Sequence, residues 1–414
     1  MNILVVNCGS SSLKLQIIEV DHETILHSSE KVKAKGMIDG IGGQSVVTLT
    51  TCHGKMMKDI LPLKNHALAI DYFLKKIISH PSDFDNISSF KDIHAVGHRV
   101  VHGGEKFVSS CPIDESVLKG IEDCSELAPL HNPANLKGIL ATLNQFEKNV
   151  PHVAVFDTAF HSSLPEINYL YPIPYSYYRR FKIRKYGFHG TSHRYIAYKY
   201  RMINKLEKDH VNIITMHLGN GSSLCAIKNG ASINTTMGFT PTSGLMMGTR
   251  AGDVDHSILD YLIEKEGLNI HEIENILNKS SGLLGISGLT NDMRDLLDEK
   301  NIHNDRRAKL AIEMYCSRIK NFMGSYLTEM NGTDAFVISG GIGENSSEIR
   351  KIIFSDLENL GIVLDDKKNL NQKKMSEFEI SHSSSKIKIF VIPTNEELLI
   401  ARDTFRMTQK ISSP

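Results

Sequence analysis

Hydrophobic residues at the start of the chain form two apolar stretches around a polar turn. Residues 3–6 are a continuous apolar run, residues 8–12 are polar, and residues 13–18 resume an extended pattern. The stretch 36–55 is rich in Gly, Val and Thr and predicts further strands. The pattern therefore predicts that the chain begins as a sheet.

Apolar residues that recur every three or four positions predict helices further along the chain. Asn132 followed by Pro133 predicts one helix start, because proline is favoured in the first turn. The apolar face of this helix is expected to carry Leu136, Ile139, Leu140, Leu143 and Phe146.

Two more helices are predicted from capping residues. Asp255 is expected to cap a helix that ends near Gly267. Asn304 is expected to cap a long helix that ends at residues 331–332. The inward candidates of the long helix are Leu310, Met314, Ile319 and Phe322.

The second half of the chain restarts the pattern of the first. Residues 213–227 again read as an apolar strand, a Gly-Ser turn and a second strand, about half a chain after the turn at residues 9–12. A single match of this kind could arise by chance, but it also fits a duplicated α/β domain. In such a fold two similar lobes face each other, and we expect the two turns to meet at the cleft between them.

Composition and charge narrow the class of protein. The 414 residues carry 47 basic and 47 acidic side chains, which argues against a protein that works on nucleic acid or on an anionic membrane. No apolar run approaches the ~20 residues that span a bilayer, and the N-terminus does not resemble a signal peptide. The six scattered cysteines form no Cys-x-x-Cys pair, so we expect reduced thiols of a cytoplasmic protein.

The first polar turn has the residues of a phosphate-binding loop. Gly9 would let the backbone approach a phosphate, the hydroxyls of Ser10 and Ser12 would donate to it, and Lys14 would add a charge. The alternative is a serine-rich β-hairpin. The turn is not a P-loop, because the chain contains no Gly-x-x-x-x-Gly-Lys-Ser/Thr.

Other polar residues stand at predicted strand ends or helix starts. Arg99 precedes a double glycine and suits a carboxylate or phosphate clamp, although a surface ion pair is the alternative. Asp157 ends a buried strand, as metal-binding and catalytic aspartates do, but turn aspartates are also common. His131 could face an anion at a helix start or belong to a capping loop. His98 and His102 are four residues apart on a strand, which makes a helical zinc pair unexpected.

The second half of the chain holds four more candidates. His189 lies between glycines, and Arg250 ends a loop rich in Met and Gly, where a ligand contact and a structural role are both open. Residues 340–345 follow a buried strand and precede a helix, which suits nucleotide contact or an ordinary βα turn. Glu396, at a helix start, could bind Mg²⁺ or only favour the helix dipole.

Taken together, the polar segments resemble those of the acetate kinases, the acetokinase family. The likeness runs in order along almost the whole chain, over segments 7–14, 98–105, 127–135, 156–161, 186–193, 217–223, 236–253, 287–294, 340–345 and 393–404. The resemblance implies the reaction ATP + acetate ⇌ ADP + acetyl phosphate, with dependence on Mg²⁺ or, as an alternative, Mn²⁺. It also implies a homodimer.

The fold that the resemblance implies is the duplicated α/β fold of the actin-like ATPases, with two lobes around a cleft. The N-terminal lobe would comprise residues 1–158 and 397–414. The C-terminal lobe, residues 159–396, would bind the nucleotide.

Position by position, the resemblance implies the role of each site residue. The metal positions are Asn7 and Glu396, and the phosphate-loop positions are Ser10, Ser12 and Lys14. The catalytic set is Arg99, His131, Asp157, His189 and Arg250. The pocket for the acyl group, beside Arg99, is Val101, Leu130, Phe188 and Pro241. The ATP-binding positions are His217, Leu218, Gly219, Asn220, Gly221, Asp292, Met293, Arg294, Gly340, Gly341, Ile342, Gly343, Glu344 and Asn345.

Two departures from the family pattern affect these expectations. Cys8 stands where the family more often has alanine, and Thr242 with Ser243 replaces a common Leu-Glu pair in the loop that carries Arg250. Acetate is ionised at neutral pH and needs no general base. Asp157 is therefore better suited to organising Mg²⁺ and the arginines than to donating a proton, and both roles stay open.

Two other functions would use many of the same residues. A mechanical or non-enzymatic ATPase of this fold needs the glycine loops but not the two arginines with His189 and an apolar pocket. A propionate or butyrate kinase would share most of the motifs.

Overall fold

The computed structural model describes residues 1–371 and 377–412, which contain 14 strands and 16 α-helices in addition to short 3₁₀ segments. The strands are β1 Asn2–Cys8, β2 Ser12–Glu19, β3 Lys31–Asp39, β4 Gln44–Thr51, β5 Met56–Pro62, β6 Ala95–Val100, β7 Cys111–Pro112, β8 His152–Phe156, β9 Ile213–Leu218, β10 Ser222–Lys228, β11 Ala231–Thr235, β12 Ala335–Ser339, β13 Phe378–Glu379 and β14 Lys388–Val391. The helices are α1 His22–His27, α2 His66–Ile78, α3 Glu115–Asp123, α4 Asn132–Gln145, α5 Glu166–Tyr169, α6 Tyr175–Phe181, α7 Gly190–Asn204, α8 Ser257–Glu266, α9 Ile270–Lys279, α10 Gly282–Ser287, α11 Met293–Ile302, α12 Arg306–Met330, α13 Gly340–Asn345, α14 Ser347–Phe354, α15 Asp366–Leu370 and α16 Glu396–Ser412.

The chain divides into two compact units. The first is Met1–Ala159 with Asn395–Pro414, and the second is Phe160–Thr394. Glu396 therefore belongs to the first unit, whereas the sequence-based division placed it in the second lobe. Residues 413 and 414 of the predicted N-terminal lobe lie outside the described residues.

The first unit is built on a sheet in the order β5-β4-β3-β2-β1-β6-β8-β7. Strands β1, β6 and β8 are parallel to one another, and the other neighbours are antiparallel. Successive side chains of a strand point to opposite faces, so β1 buries Leu4 and Val6 in the cluster that contains α2 residues, and Ile3 and Val5 against α16. Both faces of the sheet are thus covered.

The second unit has a six-stranded sheet in the order β11-β10-β9-β12-β14-β13. The largest core of the protein covers one face, where side chains of β9 and β12 pack with α12. The other face packs against α7 through Ile196 and Tyr200.

The two sheets repeat the same arrangement over six strands. In the order β3-β2-β1-β6-β8-β7, each strand matches its counterpart in β11-β10-β9-β12-β14-β13 in position and in direction relative to its neighbours. The duplicated α/β class predicted from the two Gly-Ser turns is therefore confirmed.

Each half of the repeat ends in a helix that joins the other unit. Helix α7 follows β8, the last long strand of the first sheet, but belongs to the second unit. Helix α16 follows β14 but packs on β1, β6 and β8. The first unit is consequently completed by the last helix of the chain.

The predicted helices are present, with local corrections. His131, not Asn132, is the N-cap of α4, and Leu140 is exposed where the apolar face was predicted. Helix α8 has His256 rather than Asp255 as its N-cap, and it ends at Gly267, which has a φ of 68°. Helix α4 begins one residue earlier than predicted, and α8 begins one residue later than predicted.

The long helix α12 needs two corrections. Its N-cap is Asp305, whose carboxylate accepts from the Ala308 N–H at 2.7 Å, rather than Asn304. Leu310 is exposed although it was predicted to face inward, whereas Ile319 is fully buried. The end at Asn331 in the left-handed conformation is as predicted.

Candidate active site

Four candidate residues of the first unit converge at the carboxyl ends of its parallel strands. Arg99, at the end of β6, donates through Nη2 to Asp157, which follows β8, and through Nη1 to Asn7 of β1 at 3.2 Å. Its Nε lies 3.8 Å from Glu396 Oε2 at the start of α16. Ligand sites of α/β sheets are found at this edge, so the predicted clamp, catalytic aspartate and metal residues form one cluster.

The charges of this cluster influence one another because the groups lie close together, with Asp157 buried and Arg99 and Glu396 half-buried. Burial raises the pKa of Glu396 to about 7, against the influence of Arg99 and with the help of Asp157 and Glu397. Burial works against the charge of Arg99, but Asp157 and Glu396 outweigh it and raise the Arg99 pKa above its ordinary value. Arg99 therefore keeps its charge in the site.

The same cluster is a candidate site for Mg²⁺. Residues 1–371 and 377–412 contain no group of three or more His, Cys, Asp or Glu side chains arranged to hold a metal ion. The oxygens of Asn7, Asp157 and Glu396 nevertheless all surround one guanidinium. Mg²⁺ prefers oxygen ligands and is often held by one or two carboxylates with substrate phosphates, so this donor set fits the ion.

The turn between β1 and β2 carries the predicted phosphate loop. Ser10 and Lys14 are exposed and Ser12 is half-buried. A Cβ at residue 9 would lie 2.6 Å from Ser12 Oγ, so a larger residue there would displace the Ser12 hydroxyl. On β2, Lys14 pairs with Asn7 of β1, which puts it in the same stretch of sheet as the Arg99 cluster.

Two asparagines on α4 hold this end of the sheet; Asn132 was predicted only as a helix cap, and no role was predicted for Asn135. Asn135 accepts from the Val101 N–H at 2.9 Å and donates to the Cys8 carbonyl at 2.8 Å. Asn132 makes a reciprocal pair with the backbone of His102 at 3.1 and 2.9 Å. Both asparagines are buried and three residues apart, a spacing that could have flagged them as one polar face of the helix.

The remaining candidates of the first unit differ in exposure. Val101 is buried, while Leu130 is 65% exposed just before α4. His131 is half-buried and caps α4 through its backbone, with no side-chain capping bond. The position of His131 agrees with the capping-loop alternative. The role of Leu130 in the acyl pocket stays a prediction.

In the second unit the candidate ATP-binding residues also lie at parallel strand ends. Residues 217–221 end β9 and turn into β10, and His217 pairs with Ser339 at the end of β12. Gly340 follows with a φ of 81°, and a Cβ there would lie 2.7 Å from the Leu218 carbonyl oxygen. The glycine therefore lets two of the predicted segments pack backbone to backbone.

Glu344 organises this region instead of projecting away from it. Its Oε1 accepts from the Gly340 N–H at 2.7 Å, from Ser339 Oγ at 3.1 Å and from the Thr394 N–H at 3.1 Å. Thr394 Oγ1 in turn lies 2.8 Å from Ser192 Oγ. One carboxylate oxygen thus joins the nucleotide segment to the last residue of the second unit.

A buried arginine that the sequence analysis did not identify supports the same segment. Arg350 on α14 is fully buried and donates to the carbonyls of Gly343 and Glu344 at 2.8 and 2.9 Å. Its Nε donates to Asn369 Oδ1 at 2.7 Å. No local motif distinguishes Arg350 from a surface arginine, because its partners are 19 residues away or are backbone carbonyls.

Asp292, Met293 and Arg294 occupy the start of α11. Asp292 caps the helix and pairs with the exposed Arg294, while Met293 is buried in the main core. Asn291 donates to Asn220 Oδ1 at 2.9 Å and so connects this start to the turn after β9.

Arg250 ends a loop that packs closely on the rest of the unit. The guanidinium donates to the Pro241 carbonyl at 3.3 Å and forms no ion pair within the described residues. Burial lowers the Arg250 pKa. At Gly248 a Cβ would overlap Asn220 Oδ1, so the loop can lie on the turn after β9 only with glycine there.

The unusual Thr242-Ser243 pair is held by polar contacts. Thr242 Oγ1 donates to Asn278 Oδ1 at 2.6 Å, and Ser243 faces the Tyr171 hydroxyl, which accepts from the Phe239 N–H at 2.8 Å. These bonds anchor the loop that carries Arg250.

His189 and Arg250 approach the same point. A Cβ built on Gly221 would lie 3.4 Å from His189 Nε2 and 3.5 Å from Arg250 Nη1. His189 adopts a left-handed conformation (φ 55°), and the preceding Phe188 is buried with its carbonyl 3.0 Å from His161 Nε2. Left-handed backbone is uncommon for a residue with a side chain and is often found at functional sites.

Known proteins resemble this chain along its whole length. The model of the acetokinase family matches residues 2–402. A protein of Chloroherpeton thalassium named acetate kinase is 52% identical over 99% of this chain and all of its own, and one of Methanosarcina acetivorans is 48% identical over 98% and 96%. The crystal structure of Porphyromonas gingivalis acetate kinase matches with a TM-score of 0.90 at 41% identity, and that of a propionate kinase from Francisella tularensis with 0.88 at 42%; each comparison covers 98% of this chain and 99% of the other.

Proposed function

The chain belongs to the acetokinase family and has its actin-like ATPase fold, and we propose that it is a kinase that transfers the γ-phosphoryl group of ATP reversibly to acetate. The products are acetyl phosphate and ADP. The observation that carries the proposal is the Arg99 cluster, in which one half-buried guanidinium is oriented by Asp157 and Asn7 beside Glu396.

The residues of the first unit are suited to the acceptor and the metal. Arg99 binds the acetate carboxylate, and Asp157 orients Arg99 rather than donating a proton, because acetate is already ionised. Asn7 and Glu396 would hold Mg²⁺, which neutralises charge on phosphate oxygens when bound. Ser10, Ser12 and Lys14 supply further donors to phosphate.

The residues of the second unit are suited to ATP and to the transferring group. Residues 217–221, 292–294 and 340–345 bind the nucleotide, with Glu344 and Arg350 holding the last of these segments. Arg250 carries a positive charge without an acidic partner among the described residues, so it is free to pair with the phosphoryl oxygens. His189 donates to the same oxygens, and His131 of the first unit is assigned the same role in this proposal.

In this proposal the acid that accepts the phosphoryl group is acetate rather than a longer carboxylic acid. Val101, Leu130, Phe188 and Pro241 are assigned to the wall around the acyl methyl group, and the backbone N–H of Val101 donates to Asn135. Propionate is the second candidate, because the chain is also 42% identical to a structure named propionate kinase.

The homodimer and the cytoplasmic location are parts of the same proposal. Exposed apolar side chains cluster on α5, α6 and the residues between them, among them Ile167, Ile173 and Tyr175, and offer a face for a second copy. All six cysteines are free thiols, as in a reducing compartment. No helix in the described residues is both long and apolar enough to cross a membrane.

One assay tests the function and its alternatives. Purified protein is incubated with ATP, Mg²⁺ and acetate, propionate or butyrate, and the acyl phosphate is trapped as hydroxamate. We expect a product that requires ATP and is lost on chelation with EDTA, with kcat/KM highest for acetate. ATP hydrolysis without hydroxamate would indicate a mechanical ATPase, and a higher kcat/KM for propionate would indicate a propionate kinase.

A further inference from the structure

A chain of polar side chains leads from His189 into the core of the second unit. Ser223 Oγ on β10 lies 2.9 Å from His189 Nδ1 and 2.8 Å from His193 Nε2. His193 Nδ1 lies 2.8 Å from Thr215 Oγ1 on β9. Ser223, His193 and Thr215 are completely buried, and neither the sequence nor the reaction assigns a role to any of them.

The hydroxyl in the middle couples the two imidazoles. A serine hydroxyl has one proton, so Ser223 can donate to only one of the two histidines, and when it does it accepts from the N–H of the other. The state of His189 Nδ1 therefore depends on the state of His193 Nε2. Burial lowers the pKa of His193 well below its ordinary value, with help from His161 and His217, so His193 is neutral and has one N–H.

Thr215, at the buried end of this row of side chains, sets the direction of the hydrogen bonds. Thr215 Oγ1 also lies 3.4 Å from the Cys225 carbonyl oxygen, which can only accept. Thr215 donates to this carbonyl and accepts from the His193 Nδ1–H. His193 Nε2 is then an acceptor, so Ser223 donates to His193 and accepts from the His189 Nδ1–H.

We propose that Ser223, His193 and Thr215 are positioning residues that keep the proton of His189 on Nδ1. The proposal rests on the proposed function, since it concerns the histidine assigned to the transferring phosphoryl group. With Nδ1–H held by Ser223, His189 can donate from Nε2 only as an imidazolium. It then adds a positive charge beside Arg250 in the transition state, which suits a migrating phosphoryl group better than a neutral donor.

The groups around His189 make this charge conditional on substrate. The His217 ring on β9 lies 4.3 Å from the His189 ring between centroids, and Arg250 approaches from the loop before α8. Two cationic or titratable neighbours oppose a charge on His189, while a bound phosphate anion favours it. The rate should consequently fall as the pH rises and the imidazolium in the substrate complex loses its proton.

Kinetics against pH test the chain of contacts. In wild type we expect kcat to fall about tenfold per pH unit on the alkaline side, because the imidazolium is lost. Ser223→Ala removes the acceptor at Nδ1, so neutral His189 can carry its proton on Nε2; we expect at least ~10-fold lower kcat at neutral pH and no alkaline decline. Thr215→Val should change the profile in the same direction by less.

Two controls separate this role from a structural one. Ser222→Ala removes a buried hydroxyl from the neighbouring strand position, where it contacts the Tyr315 hydroxyl at 2.9 Å, and its pH profile should overlay that of wild type. Ser223→Thr keeps the hydroxyl and should restore the wild-type profile. Overlaying profiles for Ser223→Ala and wild type would overturn the proposal, and a change in Ser223→Ala without one in Thr215→Val would remove His193 and Thr215 from it.

A measurement without substrate makes the result independent of activity. Nitrogen NMR of histidine-labelled wild type, with His189→Asn to identify the signals, reports which ring nitrogen carries the proton. We expect neutral His189 to be protonated on Nδ1, and protonation on Nε2 would overturn the proposal. A protein with Nδ1–H but no acetyl phosphate formation would instead refute the proposed function.

Discussion

At the scale of single residues, the two arginines of the candidate site stand in opposite surroundings. Arg99 has Asp157 and Glu396 beside it, and these keep its pKa high despite burial. Arg250 has no acidic partner among the described residues, and burial lowers its pKa. Arg99 is therefore held in one geometry, whereas the charge of Arg250 is available to an anionic substrate.

Removing either arginine should affect the reaction in different ways. Arg250→Ala is expected to reduce kcat at least ~100-fold, since it removes a positioned charge that acts on the phosphoryl group. Arg99→Ala should reduce kcat/KM by a similar factor and also raise the KM for acetate. Steady-state kinetics at saturating ATP and Mg²⁺ measure both effects, with Arg250→Lys as a control that keeps the charge. Near-wild-type kinetics in both alanine variants would refute the assignment.

Val101 is expected to set the length of the acyl chain. Val101→Ala removes two methyl groups, and a pocket of this kind discriminates one methylene by about 1–3 kcal/mol. The ratio of kcat/KM for propionate to that for acetate should rise, mainly through the KM of the acid. If Val101 were only a core residue, the variant would lose stability and all three acids would be affected alike.

At the scale of elements, the sequence predicts strands and helices better than their ends. The two Gly-Ser turns identify the repeat because the pattern is local and occurs twice. The cap of α12 is displaced because Asn304 and Asp305 are adjacent polar residues, and only the backbone geometry selects Asp305. Leu310 is exposed because helical periodicity gives the apolar face but not where a neighbouring element stops covering it.

In the candidate site, too, some residues were predicted from the sequence and others were found only in the folded structure. Arg99, Asp157, Asn7 and Glu396, predicted from four distant segments, lie together at strand ends. Asn135 and Arg350 were not predicted, because most of their partners are backbone groups that come close only after folding. Motifs therefore identify groups that meet substrate, and they miss the groups that hold those motifs in place.

Glu344 gives an element-scale prediction. Glu344→Ala leaves the Gly340 and Thr394 N–H groups without their acceptor, and an unsatisfied buried donor costs about 1–3 kcal/mol. The KM for ATP should therefore rise roughly 10-fold. Glu344→Gln keeps one oxygen acceptor and is expected to bind ATP more nearly like wild type. Equal KM values for ATP in Glu344→Ala and wild type would show that the carboxylate does not support the nucleotide segment.

At the scale of the whole molecule, buried histidines link stability to pH. His98 and His152 lie 3.1 Å apart between Nε2 and Nδ1, and burial lowers the pKa of His152 to about 4. The folded state keeps His152 neutral. The contribution of this histidine to stability is therefore complete above pH ~6.5 and is lost as the pH falls towards 4. At pH 5 the loss from this one group is about 2 kcal/mol.

This linkage predicts a flatter pH dependence for a variant that cannot titrate. Between pH 7 and 5 the free energy of unfolding of His152→Gln should fall by about 2 kcal/mol less than that of wild type, although the variant is less stable at pH 7. Urea unfolding at several pH values measures the difference. Parallel curves for the two proteins would show that His152 protonates equally in the folded and unfolded states.

Helix α16, the last helix of the chain, packs on the first unit, and this fixes the order in which the two units of a newly made chain can fold. Ile3, Val5, Val153 and Val155 leave the ribosome early, but Ile400 and Phe405, which cover them, are made after the whole second unit. At ~5–20 residues per second this face of the first sheet waits roughly 10–50 s for its cover. The second unit has α7 ahead of its strands and can close first. The nascent protein thus carries an uncovered apolar sheet for most of its synthesis, which makes it a natural client for chaperones that shield such surfaces.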